Sequence, residues 1–261
     1  MNSAKSFAEL DKTALENKVK AMYIAVAENP EKEYHFEMGR KLAEKLGYQT
    51  DDLDQIPQAA VASFAGVGCY FPLANIKNGE KVLDLGSGSG MDAFIAQLKT
   101  GNRGQVTGID MTTAQLEKAE RLASENNIEN VSFIKSYIET LPIDSDSYDV
   151  VISNGVINLS PEKPKVFEEI ARVLKKGGRM TISDIVTEHQ MPASITCNAT
   201  LWAACIGGAM QEDEYFEAIE QAGLKITKNV QNPEYQFISR SAIGASKKYG
   251  VKSISVLAEK I

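Results

Sequence analysis

From Lys81 to Val186 the chain alternates between short apolar runs and longer amphipathic stretches. The apolar runs are KVLDLG (81–86), QVTGID (105–110), VSFIKS (131–136), YDVVISN (148–154) and RMTISDIV (179–186). Between them the spacing predicts helices over Met91–Lys99, Thr113–Asn126, a shorter one after Pro142, and Lys163–Leu174. LKKGGRM predicts a helix end and a Gly-Gly turn into the fifth strand. Strands that are apolar on both faces and separated by helices bury those faces by lying parallel, with helices on either side. The expected fold is α/β, with a Rossmann-like, doubly wound, mostly parallel sheet.

The flanks read differently. Residues 12–29 form a helical pattern with Pro30 just past it, and FEMGRKLAEKLGY gives a second helix closed by Gly47. Asp51 to Phe71 is less regular. Beyond Met191, SITCNATLWAACIGGAM reads mostly as helix and precedes a helix at Glu212–Ala222. The end reads as strand LKITKNV, a helix around Ser241–Tyr249 and strand VKSISVLAEKI. The expected division is an N-terminal helical cap or lid, 1–75, and a ligand-binding domain, 76–261. Within the latter lie a helical insertion at about 190–222 and a strand-helix-strand at about 223–261.

Charge narrows the partners. The 261 residues carry a net charge of -7 and no Lys/Arg block, which argues against a nucleic acid or membrane surface. No apolar run approaches the ~20 residues of a spanning helix, and the charged N-terminus lacks a signal-peptide core. A cytoplasmic location is expected. Cys69, Cys197 and Cys205 are too few and too scattered for a disulfide framework, so thiols are expected, and no resident metal.

The loop VLDLGSGSGMDAF joins the first strand to a helix through Gly86, Ser87, Gly88, Ser89 and Gly90. Glycines there permit a tight turn and a ligand close to the backbone, with helix N-terminal N–H groups facing it. A dinucleotide fingerprint reads G-x-G-x-x-G, whereas this loop reads G-x-G-x-G and continues into Met91. Asp84 places a carboxylate in an otherwise apolar strand, which repels a pyrophosphate and suits a cation. Asp110 closes the second strand, where a carboxylate accepts both hydroxyls of a ribose. The third strand leads into SYIETLP, a loop suited to an adenine edge.

Together these features describe S-adenosylmethionine. The ribose falls at Asp110 and Met111, and the adenine near Ile138. The amino-acid end and sulfonium fall near Asp84, Gly86 and Asn154. The stretch resembles the class I methyltransferase family without a gap from Lys81 to Val186. Many members carry Asp just before the adenine contact, where this chain has Tyr137; the adenine amine then bonds Glu139, a backbone carbonyl or water.

Flanking segments sharpen the resemblance. GVGCYFPLANIKNGEKVLDLGSGSG, VISNGVINLSPEKPKVF, SDIVTEHQMP and LWAACIGGAM are similar to the arsenite methyltransferase family. That resemblance implies arsenic(III) held by cysteine thiolates before the first strand, after the fourth and in the inserted helical segment, soft ligands for a soft centre. Cys69 and Cys205 match the first and third positions, and Gly155 stands at the second. Cys197 lies two turns from Cys205, roughly 12 Å along a straight helix, too far to share one atom. Two readings follow. Cys69 and Cys205 hold arsenic with a small external thiol, or Gly155 opens room for a small nucleophile such as sulfide, methanethiol or a selenol; oxygen, nitrogen or carbon methylation of another metabolite stays open beside them. Asn154 and Gly155 are expected to line the reaction centre, and Tyr34 and His35 to belong to a closing lid. Tyr23, Tyr34, His35, Tyr70 and His189 are candidate bases or anion-stabilising donors, though packing or surface roles suit each better. A cofactor-binding protein without catalysis, or a dehydrogenase, is disfavoured by the intact loop and Asp110.

Overall fold

The computed structural model describes residues 12–32, 34, 36–196, 202 and 206–261. Among the described residues, five helices precede the first strand: α1 (Lys12–Glu28), α2 (Gly39–Leu46), α3 (Thr50–Asp54), α4 (Gln58–Ala62) and α5 (Phe71–Ala74). Then β1 (Lys81–Leu85), α6 (Met91–Thr100), β2 (Gln105–Asp110), α7 (Thr113–Glu125), β3 (Val131–Lys135) and β4 (Tyr148–Asn154) alternate. A 3-10 turn at Ile157–Leu159 leads to α8 (Lys163–Val173) and β5 (Leu174–Thr187). The remainder comprises α9 (Ala193–Thr196), β6 (Met210–Gln211), α10 (Glu212–Gln221), β7 (Leu224–Gln231), α11 (Arg240–Tyr249) and β8 (Lys252–Lys260).

The strands form one sheet in the order β3-β2-β1-β4-β5-β8-β7, with β6 beside β5. Strands β1 to β5 pair in parallel, as the alternation predicts. β8 runs antiparallel between β5 and β7. Strand alternation assigns side chains to two cores. Val82, Val150 and Ile152 pack with Phe94 and Ile95 of α6 and with the N-terminal helices. Leu83, Leu85 and Val151 face α8 and α10 through Val166, Phe167, Ile170 and Tyr215. β1 lies between β2 and β4, and the chain leaves those two neighbours in opposite directions. A crevice opens beyond the carboxyl ends of β1 and β4, where such sheets bind ligands.

Two local expectations change. No helix follows Pro142; the segment to Ser147 turns instead. Asp146 takes φ 54°, Ser147 Oγ donates to the Asp144 carbonyl at 2.7 Å, and Arg172 donates to the carbonyls of Leu141 and Ile143. Asp and Ser side chains that bind local backbone favour such turns over a helix. The Gly-Gly segment is not a turn before the strand but an irregularity within β5: Tyr148 pairs with Leu174 and Val150 with Arg179, and Gly177 takes φ 75°. Gly47 closes α2 at φ 98°, as expected of a C-terminal cap. Of the inserted segment, α9, Trp202 and 206–209 are described; Cys197 and Cys205 lie outside the described residues, as does His35.

Candidate active site

A cavity of about 400 Å³ occupies the crevice at the carboxyl ends of β1 and β4. The glycine loop forms its floor. Gly86 and Ser87 donate their N–H groups to the Ile109 carbonyl at 2.7 and 2.9 Å, which folds the loop back over β2. Gly86 takes φ 72°, and a Cβ there would stand 2.3 Å from a methyl of Val156, so only glycine fits this turn. Gly88 donates its N–H to Asp110 Oδ2 at 3.1 Å, and Thr112 donates to Oδ1 at 2.8 Å. Two backbone donors thereby aim the Asp110 carboxylate, whose remaining lone pairs stay available to a diol. Gly90 plays another part. It starts α6 at φ 91°, its missing Cβ would stand 2.9 Å from the Phe94 ring, and it does not line the cavity.

Two buried carboxylates, Asp84 and Asp92, and the partly exposed Asp110 border the space. Asp84 continues the Val82 face of β1 and is 2% exposed; its Oδ2 has no hydrogen-bond partner among the described residues. Ser87 Oγ is likewise buried and unpartnered. Asp92, in the first turn of α6, accepts from Tyr48 and Tyr70 hydroxyls at 2.8 and 2.7 Å and from Asn154 Nδ2 at 3.2 Å. Burial raises the Asp84 carboxyl well above the usual carboxylate range, and the Asp92 and Asp110 charges push the same way. Burial also raises Asp92 and Asp110, against the bonds they accept. Such a concentration of unneutralised acid disfavours an anion and favours a cation.

Asn154 ends β4 as a brace. Its Oδ1 accepts from Val67 N–H at 2.8 Å, and its Nδ2 donates to the Gly68 carbonyl at 3.0 Å and to Tyr48 at 2.9 Å. It both lines the cavity and ties down the segment before Cys69. The far wall comes from Met111, Ile138 and Glu139, with Ser160 Oγ donating to Glu139. Leu15, Val19 and Tyr23 of α1 close the top. Gln115 Nε2 donates to the Tyr23 carbonyl at 2.9 Å, and Lys118 donates to that of Ala27 at 2.8 Å. Tyr137 is exposed at the rim. It donates to Glu16 and accepts from Lys20 at 2.7 Å, both on α1.

The cavity thus brings together Asp84, Gly86, Ser87, Gly88, Asp110, Met111, Ile138, Glu139 and Asn154. Other candidates stand elsewhere. Cys69 packs beside the first core and does not line the cavity; burial together with Asp92 pushes the thiol up to about 12. Tyr34 donates to the Asn29 carbonyl at 3.0 Å and stacks on Phe36, clear of the cavity. Tyr70 is buried behind Asp92, and His189 is exposed beyond β5. Gly155 corrects the expectation of room beside it. It takes φ 69°, and a Cβ there would stand 3.2 Å from Val67, whose side chain fills the space.

The comparisons with known proteins agree with this geometry. The methyltransferase-domain family model matches residues 76–223. An arsenite methyltransferase of Halobacterium salinarum is 38% identical over 200 residues, 76% of this chain and 50% of the relative. The chain belongs to the methyltransferase-domain family, in its arsenite methyltransferase-like group. A human arsenite methyltransferase is 42% identical over 151 residues, covering 54% of this chain and 40% of the relative. The crystal structure of an arsenic(III) S-adenosylmethionine methyltransferase from Chlamydomonas reinhardtii superposes with a TM-score of 0.64 at 30% identity, covering 86% of this chain and 74% of that one. The chain spans about half the length of these curated relatives. For a methyltransferase domain the residues fit S-adenosylmethionine on their own chemistry. The unpartnered buried oxygens of Asp84 and Ser87, the glycine-lined floor and the aimed Asp110 suit its cationic amino-acid end and its ribose.

Proposed function

We propose that this chain transfers the methyl group of S-adenosylmethionine to a small soft acceptor, arsenic(III) in the first reading. The observation that carries the methyl-transfer reading is the acid-lined cavity at the ends of β1 and β4, with Asp84 unneutralised. S-adenosylmethionine, when bound, supplies a methyl group on a positively charged sulfur. Asp110 takes the ribose hydroxyls, Ile138 and Glu139 face the adenine, and Asp84 and Asn154 hold the amino-acid end. Ala60, Phe64, Ala65 and Gly66 form the wall where an acceptor approaches, with Val19 from α1. Such a wall excludes water from a polarisable nucleophile that attacks through its own lone pair.

The relatives' names support arsenic; Cys69 and Cys205 are the ligands the family resemblance implies, and Cys69 would have to reach the acceptor from outside the cavity lining. The protonated Cys69 thiol is no obstacle. Each arsenic–hydroxyl bond that becomes an arsenic–sulfur bond takes up the thiol proton and leaves as water. These thiols require a reducing compartment, which accords with the cytoplasm. A small thiol or selenol is the second reading, favoured by the absence of a thiol at Gly155, where the family resemblance places an arsenic ligand. Product analysis of purified protein, offered arsenite with glutathione or else sulfide or methanethiol, decides. Methylated arsenic that survives excess sulfide supports the first reading. Methanethiol or dimethyl sulfide, with arsenite inert, supports the second.

Two measurements bear on the site. Asp84 holds its proton further up the pH scale than an ordinary aspartate, and a cationic ligand must displace it. In the free protein this group's contribution to stability is present below the ordinary Asp range and is lost as pH rises through the raised value. S-adenosylmethionine then relieves a larger penalty. The thermal shift it induces is therefore expected to grow as pH rises above the ordinary Asp range, with affinity changing at most about tenfold per unit. A shift independent of pH would count against Asp84 as the cation's partner. At Gly155, with φ 69°, Gly155→Cys is expected to cost about 1–2 kcal/mol of stability, measured by chemical denaturation. An unchanged midpoint would show that Val67 and the turn yield.

A further inference from the structure

Behind the cavity wall lies a charged group that binding and methyl transfer do not use. Lys163 opens α8 yet is 3% exposed. Its ammonium donates to the Ser160 carbonyl at 2.8 Å and stands 5.3 Å from the centre of the Trp202 ring. Trp202 Nε1 donates to the neighbouring Leu159 carbonyl at 2.9 Å. Two successive carbonyls of the wall are thus held from behind, one by a cation and one by an indole. From the front, Ser160 Oγ donates to Glu139, and Leu159, Ser160 and Glu139 all line the cavity.

The anchor reaches the sheet. Asp184, buried at 2% exposure, accepts from Asn158 Nδ2, from the Tyr215 hydroxyl at 2.8 Å and from the Ile185 N–H at 2.8 Å. Asn158 belongs to the 3-10 turn that ends in Leu159. The charges that act on Lys163 are Asp184 from β5 and Glu139 from the loop after β3; Glu162 and Lys165, beside it in sequence, line the cavity. Tyr215 of α10 stays neutral, since burial and Asp184 raise it well above its ordinary value.

We propose that Lys163 is a positioning residue for the adenosine side of the cavity, holding the Leu159–Ser160 wall and, through Ser160, the Glu139 carboxylate. The proposal rests on the cofactor reading above. A cation so placed strengthens the bond to the Ser160 carbonyl beyond what a neutral amine makes. Burial lowers the ammonium to about 8, opposed by Asp184 and Glu139, so the anchor weakens within an accessible pH range. The sign differs from that of a purely structural charge. Lys163 loses its proton in the folded chain near 8 and in the unfolded chain only near about 10.4. Over that window its contribution to global stability rises with pH while the wall loosens.

The test uses methylthioadenosine, which carries the adenine and ribose but no amine that titrates in this range. Its affinity for the wild-type chain is expected to fall about tenfold between about pH 7 and about pH 9.5, with a midpoint near about 8. Lys163→Met should bind about tenfold more weakly at pH ~7 and show no such fall. A wild-type profile that is flat, or a Lys163→Met variant that matches the wild type, overturns the proposal and leaves the cofactor reading standing. Absence of binding by both methylthioadenosine and S-adenosylmethionine at neutral pH overturns both. The wild-type profile decides the matter even if the variant does not fold.

Discussion

Asp110→Ala is expected to weaken S-adenosylmethionine binding by roughly 100-fold while costing the free protein little. The carboxylate ends β2 with one oxygen on the Thr112 N–H and the other on the Gly88 N–H. Those bonds orient it and leave one lone pair on each oxygen for a ribose hydroxyl. Removing it deletes both ribose bonds and releases Gly88, so the floor loses its register with the ligand. Burial raises this carboxyl, a penalty that its removal relieves, and that partly offsets the lost loop bonds in the free protein. Asp110→Asn should lose nearly as much affinity, because two N–H donors already face the group and an amide nitrogen would oppose one of them. Calorimetry on the two variants checks this. A loss below about fivefold in Asp110→Ala would place the ribose elsewhere.

Gly86→Ala carries the second large effect. A side chain at φ 72° is strained, and the new methyl would sit 2.3 Å from Val156. Together strain and overpacking amount to about 2–4 kcal/mol, and relief by moving Val156 would narrow the cavity that this residue lines. Denaturation midpoints should fall and S-adenosylmethionine should cease to shift them. Adding Val156→Ala should recover the packing share but not the backbone strain. Full recovery in the double variant would show that the turn itself is tolerant.

Much of this site could be read from sequence because its chemistry is local. Asp84 interrupts an apolar alternation, the glycines follow at once, and Asp110 ends the next strand, so one strand-loop-helix unit carries the floor of the cavity. Asp92 was less legible. An acid in the first turn of a helix satisfies the helix dipole and needs no other explanation; only the fold shows Tyr48, Tyr70 and Asn154 converging on it. In the sequence Lys163 is an ordinary charge at the start of an amphipathic helix. One signal was available: Met180, Ile182 and Val186 share a buried face of β5, and Asp184 continues it, so a buried partner was to be expected. The acceptor side was hardest to read. Whether Cys69 faces the cavity depends on how a segment between α4 and α5 packs against Asn154, a contact between residues far apart in sequence. Gly155 looked like space because a sequence cannot show that Val67 occupies it.

The most direct test is a calorimetric titration of the purified chain with S-adenosylmethionine at a series of pH values from the ordinary Asp range upward, each repeated in two buffers of different ionisation enthalpy. One site per chain is predicted, with a heat that differs between the buffers wherever the free chain still holds the Asp84 proton, because the cation displaces it. Absence of binding, or binding whose heat is the same in both buffers at every pH, would contradict the assignment of these carboxylates to a cationic cofactor.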